Sequence, residues 1–208
     1  TGKKVAERAA KQVKKTVLEL GSNDAYIVLD DADLNTAITA CTQGRLINNG
    51  QTCVAAKRFI VVDALYDDFK ALIKEQFEQV VLGDPNDEKT TLGPMARKDL
   101  RDQLHQQVTD SVNAGATIIT GGKVAEHTGF YYTPTLLENI KPGMPAYDDE
   151  LFGPVASLIR AKDNAEAMQI ANDSRYGLGG GIFSKDEQAA IELAKLHFDT
   201  GMVDINGY

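Results

Sequence analysis

Apolar positions along the chain change period every ten to twenty residues, and those changes predict the elements. Val5, Ala9 and Val13 recur every four residues among lysines, which predicts a surface helix over residues 3 to 15. Thr16, Val17 and Leu18 then continue as a short strand and put Glu19 at its end. Tyr26 to Leu29 reads as a second strand. After it, acidic residues ending at Asp33 precede Leu34, Ala37, Ile38 and Cys41, an acidic cap ahead of one helical face. That helix stops near Asn48-Asn49-Gly50. Lys57 to Val62 is a β-branched strand, and Leu65, Phe69, Leu72, Ile73, Phe77 and Val80 form the stripe of a long helix. A turn at Gly83-Asp84-Pro85-Asn86 separates it from a second long helix, Arg97 to Asn113, that ends at Gly115. The strand Thr117 to Ile119 and the turn Gly121-Gly122 follow.

Further on, Tyr131 to Leu137 and Val155 to Ala161 read as strands, joined by a connection containing Pro142 and Pro145. Ala165 to Ala171 is helical, Gly179 to Phe183 a strand, Ala189 to Leu196 a helix, and Met202 to Ile205 a last strand. Gly177 to Gly181 reads as turn chemistry before an apolar strand. The alternation predicts an α/β fold with a largely parallel, helix-covered open sheet. In such sheets ligands gather at the carboxyl ends of strands.

Composition narrows the function. The 208 residues, 43% hydrophobic, suffice for one sizeable core. Thirty acidic against 22 basic residues give a net charge of −8, with the cations scattered, so attraction to phosphate backbones is missing and nucleic acid is not expected. No apolar run approaches the roughly 20 residues that cross a bilayer, and the basic, alanine-rich start lacks the apolar core of a signal peptide. No membrane partner and a cytoplasmic location are expected. Two cysteines outside any metal-ligand spacing predict no disulfide and no metal. No G-x-G-x-x-G run follows a strand and opens a helix, so the dinucleotide fingerprint is absent.

One stretch carries chemistry. Asn48-Asn49-Gly50-Gln51-Thr52-Cys53 sets a cysteine on glycine- and amide-rich backbone just after a helix, where a thiol can be exposed and its thiolate steadied by peptide N–H groups. Glu19 is a candidate to activate water. Cys41, on a helical stripe with Leu34, Ala37 and Ile38, is expected to be core. His105, His127 and His197 have no triad-like or metal-like spacing.

Gly50-Gln51-Thr52-Cys53 resembles the nucleophile motif of the aldehyde dehydrogenases, Leu18-Glu19-Leu20-Gly21 their glutamate motif, and Glu150-Leu151-Phe152-Gly153-Pro154 their cofactor-facing motif. All three stand in the family's order, and the resemblance runs from about residue 3 to Tyr208. Ala55 to Phe59, Gly93 to Arg97 and Asp99-Leu100-Arg101 are most similar to the succinate-semialdehyde dehydrogenase branch. The resemblance implies Cys53 as nucleophile and Glu19 as base, and Glu150, Phe152 and Leu20 as cofactor-facing residues for NAD or NADP. It also implies an aldehyde substrate and a homo-oligomeric parent. Residues 1–21 resemble the trailing helix and strand of a missing dinucleotide-binding domain, and residues 22–208 a C-terminally truncated catalytic domain. Ser22 stands where the family commonly has a second glycine, and strain there would shift Glu19. For a semialdehyde's distal carboxylate, Arg45, Arg58, Arg97 and Arg101 are candidate cations. Two other functions stay open: a non-catalytic folded fragment, and a cofactor-independent thiol esterase using Cys53 with Glu19.

Overall fold

The computed structural model describes residues 1–208. Seven strands form one sheet: β1 (Ala25–Val28), β2 (Arg58–Val62), β3 (Thr117–Thr120), β4 (Thr135–Glu138), β5 (Val155–Ala161), β6 (Gly180–Phe183) and β7 (Asp204–Ile205). Their spatial order is β3-β4-β5-β2-β1-β6-β7, and every pairing is parallel except that of β3 with β4. The helices are α1 (Gly2–Ala10), α2 (Leu34–Leu46), α3 (Asp63–Glu78), α4 (Lys98–Asn113), α5 (Pro145–Asp148), α6 (Asn164–Asn172) and α7 (Glu187–His197). This is the helix-covered, mostly parallel sheet that the alternation of periods predicts.

Both faces of the central strands are covered, which is why β1 and β2 are buried at every position and read as continuous apolar runs. Ala25 and Ile27 belong to the same apolar cluster as Leu104 and Val108 of α4 and Ala167 and Met168 of α6. Tyr26 and Val28 point to the opposite cluster, with Ala37, Ile38 and Cys41 of α2 and Phe69 and Ile73 of α3. Each valine, leucine, isoleucine, phenylalanine or methionine among them contributes about 1.5–3 kcal/mol on burial. On the α3 side, Phe59 and Phe69 meet edge to face at 6.0 Å, a favoured aromatic geometry.

Local chemistry sets the ends of the helices near the site. The Asp33 carboxylate accepts from the Thr36 N–H at 2.9 Å and caps α2. At its other end the chain tightens into a 3₁₀ turn, Ile47–Gly50, in which Asn48 (φ 51°), Asn49 (φ 57°) and Gly50 (φ 69°) are all left-handed. Asparagine and glycine are the residues that tolerate this region. At Gly50 a side chain is excluded twice, because a Cβ would also strike the Gly153 carbonyl.

Arg58, the first residue of β2, is 1% exposed. Its Nε donates to the Asn23 carbonyl at 3.0 Å, and Nη1 and Nη2 donate to Ile170 and Ala171 at 2.9 Å each. The guanidinium therefore satisfies carbonyls at the carboxyl end of α6, where a cation is also favoured by the helix dipole.

Three expectations are corrected. The first helix ends at Ala10, and residues 11–24 form no regular element. Thr16-Val17-Leu18 is thus not a strand: it pairs with no strand of the sheet, and Val17 is 89% exposed. Tyr131 to Pro134 lie outside β4, which starts at Thr135, after a proline that has no N–H for the ladder. In the connection before β5, Pro145 opens the short helix α5, which periodicity does not reveal.

Removing the Asp33 cap by Asp33→Ala is expected to lower stability by about 1 kcal/mol in urea unfolding. Arg58→Met strips three carbonyls of their donor, two of them buried, and a larger loss, about 3 kcal/mol or more, is expected in the same measurement.

Candidate active site

Three segments meet at one edge of the sheet: those entering β1, β2 and β5. Cys53 lies between the 3₁₀ turn and β2, in a reverse turn closed by the Ala55 N–H on the Thr52 carbonyl at 3.1 Å. Side chains lock the approach. Asn48 Nδ2 donates to the Gln51 carbonyl at 3.0 Å, Gln51 Nε2 returns a bond to the Asn48 carbonyl at 3.1 Å, and Asn49 Nδ2 reaches the Pro94 carbonyl at 2.7 Å. Gln51 Oε1 also accepts from the Ala96 N–H at 2.9 Å. The Pro94 to Ala96 stretch therefore supplies backbone partners for the turn that carries Cys53. Cys53 is half-buried, whereas Cys41 is fully enclosed, and burial pushes the Cys41 thiol well up. Cys41 is core, as its helical stripe predicts, and a thiol held protonated is a poor nucleophile.

Glu150 enters the same region from the segment before β5. Its Oε1 accepts from the Ser22 N–H at 3.0 Å and lies 3.6 Å from Lys57 Nζ, while Oε2 takes no hydrogen bond from the chain. Gly21 lets the carboxylate in, since a Cβ there would overlap it. Ser22 is not strained. Its φ is not left-handed, and its hydroxyl donates to Asp24. The close approach that a glycine serves falls on Gly21, so serine one residue later does not displace Glu19. Burial raises the pKa of Asp24, opposed by the Ser22 hydroxyl, Lys57, the Gly179 N–H and Arg58.

Cys53, Glu19, Leu20, Glu150 and Phe152 all line one cavity of about 520 Å³. Its far wall is α4, through Leu100, Gln103, Leu104 and Gln107. Gln107 Nε2 donates to the Glu150 carbonyl at 3.3 Å. The glutamines escape a reading of sequence alone. Their only signal is a polar pair four apart beside Leu100 and Leu104 on a helix otherwise read for its apolar stripe.

The cavity's position corrects one expectation. Its motif residues sit on segments entering β1, β2 and β5, at the amino ends of the strands, not the carboxyl ends. The irregular segment 11–24 runs to this edge and brings Glu19 and Leu20 with it. Asn23 anchors the segment, its Nδ2 donating to the Tyr147 carbonyl at 2.7 Å.

None of the four arginines considered for a substrate carboxylate lines the cavity. Arg45 and Arg58 are buried on backbone carbonyls. Arg97 pairs with Asp99 at 2.6 Å and Arg101 with Asp102 at 2.6 Å. No group of three or more His, Cys, Asp or Glu side chains could hold a metal ion, and no helix is long and apolar enough to cross a membrane.

What remains is a half-buried thiol, an exposed carboxylate, and an anchored carboxylate with one free oxygen beside an aromatic ring. Known proteins are similar to this chain in sequence and fold. The model of the aldehyde dehydrogenase family matches residues 1–208. The chain is 48% identical to the NADP(+) succinate-semialdehyde dehydrogenase of Deinococcus radiodurans over 205 residues, which are 99% of this chain and 43% of that protein. It is 45% identical to the NAD(P)+ succinate semialdehyde dehydrogenase of Escherichia coli, covering 100% of this chain and 45% of the relative. The crystal structure of succinic semialdehyde dehydrogenase from Streptococcus pyogenes with NADP+ superposes with a TM-score of 0.94 at 40% identity, over 99% of this chain and 45% of that one. The chain thus spans less than half the length of these relatives. A family model that takes in every residue, and a structure that superposes on the Streptococcus pyogenes enzyme over 99% of this chain, agree on one placement: the chain belongs to the aldehyde dehydrogenase family.

Proposed function

We propose that this chain is the catalytic region of an NADP+- or NAD+-dependent aldehyde dehydrogenase whose substrate is a small semialdehyde, succinate semialdehyde first. The observation that carries this reading is the convergence of Cys53, Glu19, Glu150 and Phe152 on one cavity. The choice of aldehyde follows the relatives, since no cation of the chain presents itself to a distal carboxylate in the cavity. We assign residues 1–21 to the end of a dinucleotide-binding domain and residues 22–208 to the catalytic domain. Exposed apolar side chains along the first segment, Val13 at 95% and Val17 at 89%, support a surface that another part of a longer protein covers.

The residues fit such a cofactor. Glu150 Oε2 is free to accept from ribose hydroxyls while Oε1 is fixed by Ser22, and Phe152 offers a ring beside it. A bound nicotinamide supplies the hydride acceptor. The chain's own part is to form and then clear an acyl group. Cys53 Sγ attacks the aldehyde carbon as thiolate to give a thiohemiacetal. Its collapse with loss of hydride leaves a thioester on Cys53. Glu19, at the exposed mouth of the cavity, takes a proton from water as the water attacks that thioester, and the acid leaves with the thiol restored. The oxyanion formed at each addition needs fixed donors. The Cys53 N–H is available, because it makes no hydrogen bond within the chain.

In the full-length protein, Cys53→Ala is expected to lower NAD(P)+-dependent aldehyde oxidation by about a thousandfold or more; turnover near the unmodified rate would rule the assignment out. Glu19→Gln is expected to slow steady-state turnover by roughly a hundredfold while leaving the first burst of reduced cofactor. Mass spectrometry should then find the acyl group trapped on the Cys53 peptide. A Glu19→Gln protein with no burst and no acyl adduct would move Glu19 out of the hydrolytic step.

A further inference from the structure

Behind the nucleophile turn lies a cation with no part in the steps above. Lys57 immediately precedes β2, and its side chain is 2% exposed. Lysine is almost never buried so deeply without a partner. Its ammonium donates to the carbonyls of Cys53 at 2.7 Å, Ala55 at 3.2 Å and Thr52 at 3.3 Å. On its other side Glu150 Oε1 stands at 3.6 Å. Arg45, also fully buried, donates Nη2 to the Gly50 carbonyl at 2.6 Å. The carbonyls of Gly50, Thr52, Cys53 and Ala55 are therefore all turned inward, onto two buried cations.

That arrangement fixes what the outer side of the turn presents. A trans peptide is planar and its C=O and N–H point in opposite directions. With the carbonyls of Thr52 and Cys53 drawn onto Lys57, the N–H groups of Cys53 and Val54 are directed away from it. Neither makes a hydrogen bond within the chain, and Cys53 and Val54 are respectively half-buried and exposed.

We infer that Lys57 is the positioning residue of this site: its ammonium gathers the inner carbonyls of the nucleophile turn and braces Glu150, so that the N–H of Cys53, on the turn that lines the cavity, faces outward as a preformed oxyanion donor. The inference rests on the aldehyde-oxidising function proposed above and adds a residue to it. A neutral donor could satisfy carbonyls as well as a lysine does. Only a cation also draws negative charge to the sulfur and oxygen on the far side of the peptides. Keeping one here carries a cost: burial, reinforced by Arg45 and opposed by Asp24, Glu150 and Cys53, pulls the Lys57 pKa down to about 8.

The test compares Lys57→Met, a neutral side chain of similar length, with Lys57→Arg, which keeps the charge, in the full-length protein. Two rates are read: alkylation of Cys53 by iodoacetamide without cofactor, and aldehyde oxidation. Lys57→Met is expected to slow alkylation by at least ~3-fold and to lower kcat by roughly ten- to a hundredfold with aldehyde KM little changed. Lys57→Arg should recover part of both. A folded Lys57→Met protein with both rates within about twofold of the unmodified enzyme would reduce Lys57 to packing and overturn the inference. Should Lys57→Met not fold, a crystal structure of the unmodified protein with a slowly reacting aldehyde decides. An adduct oxygen about 3 Å from the N–H of Cys53, with Lys57 on the three carbonyls, supports it, and an adduct oxygen out of reach of that N–H refutes it. An unmodified protein that oxidises no aldehyde defeats the proposed function instead, and the alkylation rates still decide whether Lys57 conditions Cys53.

Discussion

Close contact between three backbone segments is the constraint on which this site depends. The segments entering β1, β2 and β5 belong to neighbouring strands of a parallel sheet and so arrive at the same edge. They can touch only where side chains are absent. Gly50 sits against Gly153, and Gly21 against the Glu150 carboxylate, with no room for a Cβ at either glycine. The left-handed run through Asn48, Asn49 and Gly50 turns the chain out of α2 into this contact. A cysteine, a glutamate and an anchored carboxylate come together because the backbones that carry them are allowed to.

Such an edge concentrates polar backbone that strands and helices do not satisfy. The structure meets that demand with buried charge. Arg58 closes the end of α6 and holds Asn23, Lys57 gathers the turn that carries Cys53, and Arg45 holds Gly50. Asp24 and Glu150 supply the opposing charges. Buried ionic groups are seldom a net source of stability. Here they set geometry, holding irregular backbone in a single arrangement beside the cavity. The regular part of the molecule, with its two apolar clusters on either side of the sheet, supplies the stability against which that arrangement is held.

Much of the fold was legible in the sequence. Leu65, Phe69, Ile73 and Phe77 mark α3, and the runs at Tyr26 and Phe59 mark β1 and β2, because burial against a helix or within a two-sided sheet imposes a period. Where no such partner exists the pattern misleads. Val13 and Val17 look like members of a helix and a strand, yet both are exposed outside regular structure. The candidate site was legible through its motifs. Its α4 wall was not, because Gln103 and Gln107 are ordinary polar residues of a surface helix until the fold sets them opposite Cys53. Arg45 and Arg58 misled in the other direction: cations read as candidates for a substrate carboxylate are sealed within the protein.

The sequence by itself determined the layered α/β architecture, the elements of its core, the glycine- and amide-rich cysteine motif and the family resemblance, since these are written in local periods and short contiguous runs. Only the tertiary structure decided that the cavity lies at the amino ends of the strands, that Gly21 and not residue 22 admits Glu150, and that Lys57 stands behind the turn carrying Cys53. Each of these is a contact between segments far apart in the chain, and such contacts leave no period in either segment. They arise from strand order and close approach, which the folded sheet fixes and a linear pattern does not.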